Sequence, residues 1–287
     1  MPASAQPAGA CDCHVHVVGD PRRYPMAADR HYTPGFAGPP DLLRHMDGLD
    51  LARAVIVQPS VYGTDNRCLL DGLEALQGAG RGVAVLDQDA TPAALAGLHA
   101  RGVRGVRINL ESVGRSDPHG IRAALAAWGR RLAPLGWHVQ VYASLDALAA
   151  AAPTLEALPV PVVLDHFAMI PAGTALADPR VRAVLALLAS GAAYVKLSAP
   201  YRIDPSGQRG GEVAALAAAL LASNPDRVLW ASDWPHTSRA PGKAASEVSA
   251  YRRIGREQLA AGIAAWLPDA GLRARVLVDN PARLYGF

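Results

Sequence analysis

His14 and His16 stand two residues apart in Cys11-Asp12-Cys13-His14-Val15-His16. In an extended strand this spacing turns both imidazoles to one face. Such a pair holds a metal ion or aims two hydrogen bonds at one point. Two further runs end in the same kind of residue: Val162-Val163-Leu164-Asp165-His166 and Leu229-Trp230-Ala231-Ser232-Asp233-Trp234-Pro235-His236. A carboxylate among imidazoles accepts a proton from water, and imidazole N–H groups steady an oxyanion. His14, His16, His166 and Asp233 also form an N₃O set able to hold one Zn²⁺ or Mn²⁺. Taken singly, Asp165 and Asp233 read as caps of the loops that follow them, and His166 as a core histidine. Gathered at one end of one fold, they resist that reading. The same alternation puts Asp12 with His14 and His16 and turns Cys11 and Cys13 toward the surrounding helices as packing residues.

These residues need elements to position them. Apolar runs at 10–18, 52–58, 82–86, 103–110, 138–143, 160–166, 193–198 and 227–232 read as eight strands, near-continuous in apolar residues as a parallel sheet buried on both faces requires. Segments of helical period lie between and after them at 40–48, 66–78, 91–101, 119–135, 145–157, 179–190, 212–223, 246–266 and 268–277, several opening on Pro or Asp. Eight βα units, with no Gly-x-Gly-x-x-Gly after any strand, predict a single (β/α)₈ barrel, one domain over 1–287, and not a doubly wound sheet. The longest irregular stretches, 19–39 and 235–245, follow strands one and eight, where barrel active-site loops belong. The alanine clusters in 145–152 and 213–222 read as outer helices.

Composition agrees. Of 287 residues, 51% are hydrophobic and 18% charged, enough for a core and against disorder. The 27 glycines and 23 prolines suit many turns. A net charge of +3 without charge blocks argues against nucleic acid or a membrane surface as partner. No apolar run reaches the length of a membrane span and no secretory leader is evident. Three cysteines, Cys11, Cys13 and Cys68, make a disulfide framework unexpected, so the expected location is cytoplasmic. A homo-oligomer is compatible with the sequence.

Through Asp12-Cys-His-Val-His16 and Asp233 the chain resembles the amidohydrolase superfamily, and more narrowly the amidohydrolase-related branch that includes 2-pyrone-4,6-dicarboxylate lactonase. The matching stretches run nearly end to end: Tyr32-Thr-Pro34, Gly63-Thr-Asp-Asn66, Gly102-Val-Arg-Gly-Val-Arg-Ile-Asn109, Gly136-Trp-His-Val139, Leu164-Asp-His166, Val228 through His236, and Asp279-Asn-Pro-Ala-Arg-Leu-Tyr285. The resemblance implies a hydrolase that opens a carboxylated lactone or pyrone, of the kind met in aromatic-compound catabolism. Asp233 would activate water, with His14, His16 and His166 around the water and the scissile carbonyl. It also implies that Arg107, Arg202, Tyr32 and Tyr142 hold a small anionic lactone. Tyr62, Arg115 and His236 complete the expected substrate-binding set.

Where the wider superfamily can bridge two metals with a strand-four Lys and ligate one with a strand-five His, this chain has Arg107 with Asn109, and Tyr142. A binuclear centre is therefore not expected, and the resemblance implies no obligatory metal, a single Zn²⁺ or Mn²⁺ being the alternative. One departure stands out. The lactonase pattern carries an arginine six residues beyond Arg107, where this chain has Val113, and Arg115 is the candidate to replace it. Asp65-Asn66-Arg67 reads as a loop at the pocket or a helix start, and Asn280 to Tyr285 as a structural latch. Two other readings are a Zn²⁺-dependent relative (a sugar-acid or muconolactone hydrolase, or a nonoxidative decarboxylase) and a carboxylate-binding barrel without turnover. Against the last, pure binding needs no water-activating base.

Overall fold

The computed structural model describes residues 6–109, 118–239 and 242–287. Eight parallel strands lie side by side in chain order: β1 (Cys11–Val15), β2 (Arg53–Val57), β3 (Gly80–Ala84), β4 (Val103–Asn109), β5 (His138–Tyr142), β6 (Val162–Leu164), β7 (Ala193–Leu197) and β8 (Val228–Trp230). Each falls on a run expected from the sequence, β3 starting two residues earlier than the expected 82. The ring closes just beyond β8, where Asp233 N–H donates to His14 O at 3.0 Å and His16 N–H to Trp234 O at 2.8 Å. That closure sets Asp233 against both histidines of the first strand. Helices intervene between successive strands, giving the expected (β/α)₈ barrel.

Runs such as Arg53-Ala-Val-Ile-Val57 are apolar on both faces because each face is buried. Val15, Ile56, Val106 and Leu164 pack outward in the helix-facing core. Val55, Val57, Val163, Tyr194 and Leu229 fill the barrel interior with Leu284 and Tyr285. Cys11 and Cys13 belong to this inner group, which corrects the expectation that they face the helices. The cause is a bulge in β1: Asp12 sits opposite Ala54, yet Val15 sits opposite Ile56, so three steps along β1 match two along β2. An extra residue reverses the alternation beyond it. Cys11, Cys13, His14 and His16 therefore all turn inward. Asp12 turns outward, where its carboxylate takes the Ser232 N–H at 3.0 Å and faces His45 Nε2 at 3.2 Å.

Two helical expectations change. The predicted helix 246–266 begins only at Arg256 (Arg256–Trp266), because Val248–Ser249 is extended and pairs in parallel with Thr33–Pro34. Arg252 N–H to His236 O at 2.9 Å and the Tyr251 hydroxyl to Gly35 O reinforce this union. The loops after β1 and β8 are thus tied to each other. The predicted helix 268–277 is instead short (Ala270–Ala274) and runs through a π-helical turn, Arg275–Asp279, into Asn280–Tyr285. The wider turn re-phases the helix, so that Val276 and Leu277 pack on the barrel and Leu284 and Tyr285 follow them inward. Asn280 Nδ2 donates to Pro225 O and Val228 O, both at 2.8 Å, which is the latch expected of this segment. Among the described residues no helix is long and apolar enough to cross a membrane.

Gly105 in β4 shows how tightly the interior is filled. A Cβ there would lie 2.3 Å from Cε1 of the buried His138 ring. Gly105→Ala is expected to destabilise the chain by about 1–3 kcal/mol, read as a lower urea midpoint. Adding His138→Ala should recover most of the loss; independent, additive effects of the two changes would refute the steric account.

Candidate active site

Asp233 lies at the centre of the barrel's carboxyl end, fully buried, with a left-handed backbone (φ 62°) that aims its side chain inward. Its two oxygens have opposite surroundings. Oδ2 accepts from Arg202 Nη2 at 2.7 Å, Arg202 Nε at 3.1 Å and the Tyr201 hydroxyl at 2.7 Å. Among the described residues Oδ1 has no hydrogen-bond partner, and it faces three imidazoles, with His16 Nε2 at 3.5 Å, His14 Nε2 at 3.7 Å and His166 Nε2 at 4.0 Å. The four residues expected from the sequence therefore converge on one point. Burial raises the Asp233 carboxyl, but the Arg202 guanidinium outweighs it and holds the group well below the usual carboxylate range.

Each imidazole is oriented from behind. His16 Nδ1 lies 2.7 Å from Val57 O, and a carbonyl only accepts, so in the neutral ring Nδ1 carries the proton and Nε2 offers a lone pair toward Asp233. His166 Nδ1 meets Ser198 Oγ at 2.8 Å. The residues 166–169 form a left-handed turn, φ near 50–55°, that swings the His166 ring into the barrel. Behind His14 stands a fully buried group that sequence reasoning missed. Lys196 Nζ lies 3.2 Å from His14 Nδ1, 2.7 Å from Gln140 Oε1 and 3.3 Å from Asp165 Oδ1. Burial and the Lys196 charge push His14 down to about 3, so the ring is neutral at ordinary pH. Asp165 is not a loop cap. Despite burial, the Lys196 ammonium holds it well below the usual carboxylate range, and Arg107 Nε adds a further charge at 3.6 Å from Oδ2.

Arg107 and Arg202 flank the Tyr142 ring, their guanidinium carbons 5.6 and 6.0 Å from its centroid, and Tyr142 meets His166 edge-on. Tyr32 neighbours Thr237 and lies within reach of both arginines' charges. His236 donates its backbone N–H to Asp233 O at 2.7 Å, and burial pushes its ring down to about 4 against the pull of Asp233. Tyr62 does not join the site: its buried hydroxyl accepts from Gly19 N–H at 3.1 Å and neighbours Cys68. Asn66 precedes helix Arg67–Ala75, and its side chain ties Thr64 O to Val85, so it serves the scaffold. Arg115 and Val113 lie outside the described residues. Lys196 had a signal, a lysine within the apolar Ala193-Tyr-Val-Lys-Leu197, and Tyr201 had none beyond its neighbour Arg202.

This arrangement on a (β/α)₈ barrel fits one family. Residues 11–287 match the amidohydrolase family, and the chain belongs to it. Among its relatives, a 2-pyrone-4,6-dicarboxylate hydrolase of Comamonas testosteroni is 34% identical over 97% of this chain and 90% of its own. A 4-sulfomuconolactone hydrolase of Rhizobium radiobacter is 31% identical over 98% of this chain and 91% of its own. A crystal structure from Pseudomonas putida, provisionally named a 2-pyrone-4,6-dicarboxylic acid hydrolase, superposes with a TM-score of 0.83 at 31% identity, covering 97% of each chain.

Proposed function

We propose that the chain is a hydrolase that opens a carboxylated lactone or pyrone, with Asp233 as the base that activates water and with no obligatory metal. The unpartnered Asp233 Oδ1 among three imidazole Nε2 atoms carries this reading. With the His16 ring neutral, Oδ1 and His16 Nε2 are two acceptors 3.5 Å apart. A water molecule satisfies both by donating one O–H to each. As its oxygen attacks the lactone carbonyl carbon, its proton passes to Asp233 and the carbonyl electron pair moves onto oxygen. Imidazole N–H groups steady that oxyanion. Collapse breaks the ring C–O bond, and the departing oxygen takes the proton back from Asp233. One water is consumed, and a carboxylic acid with a hydroxyl or enol is formed. Arg107 and Arg202 hold the substrate's anionic group, with Tyr32, Tyr142 and His236 around it. The names of the relatives from Comamonas and Rhizobium both describe an anionic ring substrate, which supports the same class here.

His14, His16 and Asp233 each place one donor atom within 4.8 Å of the others, so their geometry resembles a site for one ion. A divalent ion at such a place would supply Lewis-acid activation of water. The charge does not fit it. Asp165 and Asp233 are already opposed by Lys196, Arg107 and Arg202, all within 3.6 Å of a carboxylate oxygen. A dication would leave a large uncompensated positive charge in a buried pocket. A panel of carboxylated lactones and pyrones, followed by acid release, tests both parts. At least one should be hydrolysed, at a rate unchanged by chelator. No turnover across the panel would refute the activity, and a chelator-induced loss restored by Zn²⁺ or Mn²⁺ would refute the metal-free reading.

A further inference from the structure

We infer that Lys196 is a positioning residue: it fixes His14 as the Nε2–H tautomer and so turns one corner of a metal-like constellation into a hydrogen-bond donor. Lys196 is fully buried and its ammonium can only donate. One hydrogen goes to Gln140 Oε1 at 2.7 Å, and a second direction faces Asp165 Oδ1 at 3.3 Å. The remaining contact, 3.2 Å to His14 Nδ1, has hydrogen-bond geometry, so Nδ1 must be the acceptor. A neutral imidazole that accepts at Nδ1 carries its proton at Nε2.

Asp165 Oδ1 competes for the same nitrogen, also at 3.2 Å. It loses on geometry, because among the described residues Oδ1 makes no hydrogen bond, and its carboxylate is held from the other side by Gln140 Nε2, which donates to Oδ2 at 3.1 Å. Without the ammonium, His14 would donate from Nδ1 to Asp165 and leave an Nε2 lone pair facing Asp233. That carboxylate–imidazole arrangement is one that supports metal ligation. His14 and His16 therefore present opposite faces to Asp233 Oδ1: a donor from His14, an acceptor from His16. The donor is what an oxyanion needs. Only this last role rests on the hydrolase reading, whereas the tautomer does not.

Nitrogen-15 NMR of the histidine-labelled chain, with the His14 signals assigned by their loss in His14→Gln, reads the tautomer directly. In the wild type, Nε2 is expected to be protonated and Nδ1 bare. Lys196→Met should reverse this and tighten Zn²⁺ binding by at least tenfold in a direct titration with the metal alone. Because the His14 Nε2–H that Lys196 fixes serves the oxyanion, Lys196→Met should also lower kcat by more than it changes KM. A protonated Nδ1 in the wild type would overturn the inference, and that spectrum decides the matter even if the variant does not fold. Lys196→Met with an unchanged tautomer and unchanged zinc affinity would overturn it as well. Failure of the lactone panel would remove the hydrolase reading and leave the spectrum's answer intact.

Discussion

Asp233→Asn is expected to lower kcat for lactone opening by about 10²–10⁴-fold, the range of a lost general base, with little change in KM. The substitution keeps shape while removing the proton acceptor. Arg202 and Tyr201 donate to Oδ2, so the asparagine carbonyl will settle there and its NH₂ group will face the three imidazoles. A donor then stands where water must hand over a proton. The proposed substrate contacts through Arg107 and Tyr142 remain, which is why KM should hold. A thermal melt of the variant checks that the fold survives. A loss smaller than tenfold would show that another group accepts the proton, and His16, whose Nε2 lone pair faces the same point, would be the next to test.

The eight strands and the His14, His16, His166, Asp233 set are legible in the sequence for a common reason: a parallel barrel demands apolar runs, and polar residues at the ends of such runs stand out. What is not legible depends on register between strands. The bulge in β1 leaves no mark in Cys11-Asp12-Cys13-His14, yet it decides that both cysteines face inward and Asp12 outward. Lys196 is visible as a lysine in an apolar strand, but its meaning comes from Gln140, Asp165 and His14 on β5, on the loop after β6 and on β1. Tyr62 fails in the opposite sense: an aromatic hydroxyl near a strand end reads as a ligand-binding group, and only the fold shows that Gly19 uses it. The pairing of Val248–Ser249 with Thr33–Pro34 joins segments more than two hundred residues apart, so local periodicity in 246–255 had no means of revealing it.

Arg202 makes the second large prediction, because the proposed mechanism gives it two partners. In the structure its guanidinium binds Asp233 Oδ2, while its side chain keeps 23% exposure toward the open end of the barrel. A carboxylate that receives an arginine and a tyrosine hydroxyl is reliably ionised but a weak base. A substrate anion that draws Arg202 away would leave Asp233 a stronger base at the moment water must be activated. Arg202→Met should therefore act in two separable ways. Loss of a charge-assisted grip on the substrate, about 1.5–3 kcal/mol, raises KM by roughly 10–150-fold. The pH profile moves as well, with the following sign. Asp233 works ionised, burial raises its pKa, and Arg202 is the largest influence lowering it. Wild-type activity should thus persist as pH falls through the usual carboxylate range. In the variant Asp233 takes up its proton at higher pH, so the acid limb of kcat/KM moves upward. Stability follows the same linkage: the depressed Asp233 contributes above its unfolded pKa and loses that contribution as pH falls through the folded value, and the variant keeps less of it. Tyr201→Phe removes one donor from Oδ2 without touching the substrate clamp, so it should shift the acid limb in the same direction by less and leave KM nearly unchanged. An acid limb that stays in place in Arg202→Met would mean that Arg202 does not tune the base, and the raised KM alone would then define it as a substrate clamp.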